Sequence, residues 1–122
     1  MSYDIKPKEV QVIAELYDVV EREVLDSPGR MRKFLLEVAA GAHEEALHVH
    51  VHEFEPYGLS GFLMTSKGYI AIHTWPEHCY ATVNIVSFSD AEWSWRTYKV
   101  IVGLLRPRQQ SAVEIKSGLD FQ

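Results

Sequence analysis

The chain has 122 residues, 47% of them hydrophobic and 24% charged, with a net charge of −5 at neutral pH. That length can bury one core without disulfides or a structural metal, the composition is ordinary for a globular protein, and the acidic balance excludes the basic footprint of a nucleic-acid binder. One cysteine, Cys79, excludes an internal disulfide and a Cys-rich zinc site; it fits a reducing cytoplasm, and the first twenty residues, with Asp4, Glu9 and Glu15, read as neither signal peptide nor membrane span.

In chain order, Val10–Tyr17 is a β-prone run after a polar start, and Val19–Leu25 is ambiguous. Ser27-Pro28 then signals a helix start, with Ser27 as cap and Pro28 in the first helical position. Met31, Phe34, Leu35, Val38 and Ala42 follow on one face. Leu47–Phe54 alternates strictly, Leu47, Val49 and Val51 against His48, His50 and His52. Pro56, Gly58 and Gly61 predict a loop, Phe62–Ser66 and Tyr69–Thr74 a pair of strands, and Tyr80–Phe88 another. Ser89-Asp90-Ala91-Glu92 reads as a capping box with Ser89 as the cap. It opens a helix whose stripe is Ala91, Trp95, Tyr98, Val102 and Leu105, stopped before Pro107. Ala112–Lys116 is a last short strand.

The order β-α-β-β-β-β-α-β with hairpin-length links predicts an α+β two-layer sandwich, a mostly antiparallel sheet with both helices on one face, formed by residues 1–122 as a single domain. The other face is left to water, a ligand or a second subunit. The His48, His50, His52 stripe has the spacing of a His-x-His metal pair, but no third ligand is placed to complete it, and no metal is expected. Arg106, Arg108 and Lys99 read as a helix end.

Three stretches say more. His52-Glu53-Phe54-Glu55-Pro56-Tyr57-Gly58-Leu59-Ser60-Gly61 is followed by Ile70-Ala71-Ile72-His73-Thr74-Trp75-Pro76-Glu77 and then Tyr80-Ala81-Thr82-Val83. Together these resemble the core of the small prokaryotic S-adenosylmethionine decarboxylases of polyamine (spermidine) synthesis, in which a His-x-Phe-x-Pro-x-Gly-x-Ser-Gly loop precedes a Glu-Ser-His strand and an Ile-His-Thr-Trp-Pro-Glu segment. The spacing matches without a gap, and Val12–Tyr17 is similar to the family's first strand.

The resemblance implies a chemistry. Decarboxylating an α-amino acid leaves a carbanion that needs an electron sink. The family makes one, a pyruvoyl group, by rearranging and cleaving its own Glu-Ser bond. The aligned positions here are Lys67, Gly68 and Tyr69, and glycine has no hydroxyl to begin that rearrangement. The family's proton-donor cysteine falls on Phe88 and its acidic strand residue on Asn84. The resemblance therefore implies a degenerate member without the pyruvoyl cofactor.

Other positions are kept. Ser60 and His73 match residues that assist self-cleavage, Phe54 and Trp75 match the aromatics that sandwich adenine, and Glu77 matches the carboxylate that holds the ribose. Stacking plus a carboxylate is a sound way to hold a nucleoside. The leading expectation is a catalytically silent homodimer that binds S-adenosylmethionine or a related nucleoside and regulates an active decarboxylase paralogue. Two alternatives stay open: a working decarboxylase processed at an unusual residue, Ser66, which in a regular strand shares a side with Gly68, and a structural dimer without a ligand. In that last reading Phe54 and Trp75 are core or dimer-interface aromatics, His73 a hydrogen-bonded buried histidine and Glu77 a charge at a helix start.

Overall fold

The computed structural model describes residues 7–88 and 90–118. Six strands and two helices run in the order β1 (Glu9–Val19), α1 (Pro28–Gly41), β2 (His48–Glu53), β3 (Leu59–Met64), β4 (Gly68–Trp75), β5 (Tyr80–Ser87), α2 (Ala91–Leu105) and β6 (Pro107–Ser117). Single 3₁₀ turns at Arg22–Leu25 and Pro76–His78 precede α1 and β5. The strands form one antiparallel sheet in the order β2-β3-β4-β5-β1-β6. Both helices pack on one face, α1 over β2 and β3 and α2 over β1 and β5. This is the expected two-layer sandwich.

Strand alternation builds the core. Val12 and Leu16 of β1, Leu59 and Leu63 of β3, Ile70 and Ile72 of β4 and Val83 and Ile85 of β5 are buried beneath Met31, Leu35 and Val38 of α1 and Trp93, Ile101 and Leu105 of α2. Ser27 caps α1 by accepting a hydrogen bond from the Arg30 N–H at 3.3 Å, with Pro28 in the first turn.

Several boundaries differ from the sequence reading. Strand β3 begins at Leu59 and includes Gly61, expected in the loop. A Cβ at Gly61 would stand 3.0–3.1 Å from Ile72, Leu35 and Met31, so the glycine lets α1 settle onto the sheet rather than breaking the strand. Strand β3 also ends at Met64, and Ser66 lies in the exposed turn that follows. It is not a strand residue sharing a side with Gly68. The cap of α2 is Asp90, which accepts from the Trp93 N–H at 3.1 Å; Ser89, the expected cap, lies outside the described residues. Helix α2 is also rotated, burying Trp93, Ser94, Thr97, Ile101 and Leu105 while Trp95, Tyr98 and Val102 pack at the margin. The last strand is eleven residues long, more than twice the expected run.

The face away from the helices is uncovered. Register places rows of side chains across it, among them His52, Ser60, His73, Thr82, Glu15 and Ser111, and His50, Phe62, Ala71, Asn84, Ile13 and Val113. Among the described residues no helix is long and apolar enough to cross a membrane.

Candidate functional site: a pocket at one end of the open face

The chain from Phe54 to Gly58 turns back on itself, with the Phe54 N–H donating to the Gly58 carbonyl at 2.9 Å. Gly58 sits at φ +104, and a Cβ there would stand 3.1 Å from the Thr74 carbonyl oxygen. Only glycine combines that backbone with so close an approach. The loop thus meets the end of β4 and encloses a cavity of about 380 Å³, lined by Phe54, Tyr57, Ser60, His73, Trp75 and Glu77 among others. All five residues that the sequence assigned to binding or processing face this one space.

Each is held by its element. Ser60 and His73 are register partners on β3 and β4, and Ser60 Oγ lies 2.7 Å from His73 Nδ1. Phe54 has its ring edge-on to His52, centroids 4.6 Å apart. Trp75 lies beside Tyr80 of β5 at 5.5 Å. Phe54 and Trp75 remain 48% and 41% exposed, so each offers a ring to a ligand. Glu77 stands exposed in the Pro76–His78 turn with no hydrogen bond or ion pair among the described residues.

The sequence reading missed Thr74. Its buried hydroxyl donates to the Leu25 carbonyl at 2.6 Å and accepts from the Leu59 N–H at 2.9 Å, tying the first 3₁₀ turn and the pocket loop to β4. It also missed Tyr57 in the lining and Glu15, Tyr17 and Tyr80 beside it. The Glu15 carboxylate accepts from the Tyr17 hydroxyl at 2.5 Å and the Tyr80 hydroxyl at 2.9 Å. Hydrogen bonds from Tyr17 and then Tyr80 hold the Glu15 carboxyl below its usual range, and the bond to Glu15 pushes Tyr17 up to about 12. Only the shared parity of alternate strand residues could have flagged this group.

Positions 67, 68 and 88 lie at the opposite end of the sheet. The Phe88 N–H donates to the Lys67 carbonyl at 2.9 Å, and Gly68 pairs with Ser87. Gly68 and His73 are five positions apart along β4, roughly 17 Å. Gly68 is buried, and a Cβ there would overlap the Val86 carbonyl oxygen and stand 2.8 Å from Ser87 Cα. The residues present therefore do not fit a pyruvoyl group made at position 68: it has no hydroxyl or thiol and no space for one. Thr65 is committed to its turn, donating to the Gly68 carbonyl at 3.2 Å and accepting from the Lys67 N–H at 3.1 Å. Tyr69 packs on Phe62 at 5.6 Å. His48, His50 and His52 line the edge strand β2 opposite Met64, Phe62 and Ser60, and no three His, Cys, Asp or Glu side chains among the described residues are placed to hold a metal ion.

Comparison with known proteins places this geometry. The two-layer sandwich is an α/β fold shared with solved adenosylmethionine decarboxylases. Residues 10–118 match the family described as S-adenosylmethionine decarboxylase. A Caldicellulosiruptor saccharolyticus protein named S-adenosylmethionine decarboxylase proenzyme is 34% identical over 108 residues, covering 88% of this chain and 86% of that one. A Thermosipho melanesiensis protein of the same name is 32% identical over 103 residues, 84% of this chain and 78% of that one. The crystal structure of the adenosylmethionine decarboxylase from Aquifex aeolicus superposes with a TM-score of 0.85 at 26% identity, covering 96% of each chain. A Trypanosoma brucei enzyme shares the fold alone, with a TM-score of 0.62, 16% identity, and 86% of this chain matching 45% of that one. The chain belongs to the S-adenosylmethionine decarboxylase family.

Proposed function

We propose that this chain is a non-processing member of its family that binds S-adenosylmethionine or a related nucleoside between Phe54 and Trp75, with Glu77 on the ribose. It acts as a cytoplasmic regulator of an active decarboxylase of polyamine synthesis. The observation that carries this reading is the division of the sheet along β4: a pocket at one end, and at the other a buried glycine whose packing leaves no room for a side chain. Two aromatic rings and an unpaired carboxylate suit a nucleoside, stacked base against sugar hydroxyls. Ser60 and His73 then serve as polar lining rather than as processing groups.

A homodimer with opposed sheet faces fits the same geometry. Ser60 and His73 are roughly 17 Å from position 68 of their own chain, and a second chain facing the first across a twofold axis brings the two ends together. Calorimetric titration with S-adenosylmethionine, its decarboxylated product and adenosine tests the reading. Saturable heat with at least one, lost in Trp75→Ala, is expected; no heat with any of the three overturns it and leaves the structural dimer.

The names of the curated relatives, which are proenzymes, favour a second reading, an active decarboxylase, and Ser66 is the residue at which this chain would then be processed. The exposed turn around Ser66 supports it poorly, because nearby Thr65 hydrogen bonds fix the turn. Processing there predicts two fragments in place of one 14.0 kDa chain.

A further inference from the structure

Trp75 rests on a side chain that is itself anchored. Tyr80 is its register partner, and the two rings lie 5.5 Å apart at 47°. On its other side Tyr80 meets Tyr17, with centroids at 5.1 Å. Both hydroxyls end on one carboxylate: Tyr80 donates to Glu15 Oε1 at 2.9 Å and Tyr17 to Glu15 Oε2 at 2.5 Å, while Ser111 Oγ lies 3.5 Å from Oε2. A half-exposed tryptophan would otherwise have several rotamers open to it. Here its neighbour is fixed at both ring and hydroxyl, and charge-assisted hydrogen bonds are the stronger kind.

We propose that Glu15 is a positioning residue of the pocket, which, through Tyr80, sets the plane of Trp75 as one wall of the stacking site. Glu15 does not line the cavity; it stands two strands from His73 in the same row, roughly 10 Å away. Its contribution is preorganisation: a ring already in place loses less freedom when a base stacks on it. The proposal rests on the nucleoside reading of the pocket.

The test uses Glu15→Gln, Tyr80→Phe and the double variant, with two readouts. In adenosine titration each single variant is expected to bind about tenfold more weakly, a change of about 1.4 kcal/mol. The double variant should bind no worse than either single one, because both act through one contact. The second readout needs no ligand: acrylamide quenching of the fluorescence that Trp75→Phe removes. This quenching should rise in both variants, whereas a general loss of stability without a change at Trp75 would leave it alone. Wild-type affinity in both variants overturns the role of Glu15 and leaves the pocket standing. Absence of adenosine binding in the wild type overturns the pocket reading instead. The brace is then decided by quenching alone, with increased quenching supporting it and unchanged quenching refuting it.

Discussion

Trp75 and Thr74 are chain neighbours with opposite duties, because alternate strand residues face opposite sides. Trp75 points into the pocket, and base–aromatic stacking is worth about 1–3 kcal/mol per base. Trp75→Ala should therefore weaken adenosine binding by about one to two powers of ten in calorimetry, with little change in melting temperature. Thr74 faces the core, where its hydroxyl serves the Leu59 N–H and the Leu25 carbonyl. Thr74→Val strands both, and a loss of about 1–3 kcal/mol in denaturant unfolding is expected. Charge at Glu15 and Tyr17 gives a pH signature. Glu15 is held below its unfolded value, so its contribution is complete above the ordinary carboxylate range and is lost as pH falls through the lowered value. Tyr17 is raised from 10 to about 12, so its contribution is complete below pH 10 and lost as pH rises through about 12. Absorbance titration should show one tyrosine ionising near 12 that returns toward 10 in Glu15→Gln. The motif residues Phe54, Ser60, His73, Trp75 and Glu77 were legible because spacing carries them. Thr74, Glu15 and Tyr80 were not, because their partners are 15, 49 or 65 residues distant in the chain.

At the scale of elements, the β3–β4 hairpin decides whether a serine at position 68 could be processed. Gly68→Ser supplies the missing hydroxyl but drives its Cβ against the backbone of Val86 and Ser87. The expected outcome is a destabilisation of about 1–3 kcal/mol and a chain that stays whole in mass spectrometry; cleavage before residue 68 would show that the backbone yields. In α2 the buried Thr97 Oγ1 has no hydrogen-bond partner among the described residues, so Thr97→Val should be neutral or stabilising by up to about 1 kcal/mol in thermal melts. That site also explains why the phase of α2 was misread. Ser94 and Thr97 face the sheet, Ser94 donating to the Val10 carbonyl at 3.3 Å, while Trp95 and Tyr98 at the margin mimic a core stripe. The first helix was legible because its cap, its Pro28 and its apolar stripe agree. Gly61 concealed the start of β3 because a close helix approach and a turn ask for the same residue. The length of β6 was hidden because the strand is mostly exposed and lacks a buried alternation.

At the scale of the whole molecule, one sheet face is sealed by helices and the other lies open, with Tyr17, Trp75, Val113 and Ile115 exposed on it. A surface of that kind on an antiparallel sheet is suited to a second sheet. Light scattering at micromolar concentration should return twice the chain mass; a monomer at all concentrations would remove the opposed-sheet arrangement while leaving the pocket. The antiparallel plan was legible from hairpin-length links, whereas the separation of the pocket from position 68 required the strand register. On the proposed reading, this family member keeps its pocket without cutting itself. Intact mass of the purified protein tests this most directly. A single unmodified species near 14.0 kDa is predicted, and two fragments, the smaller carboxy-terminal one beginning with a pyruvoyl group, would contradict it.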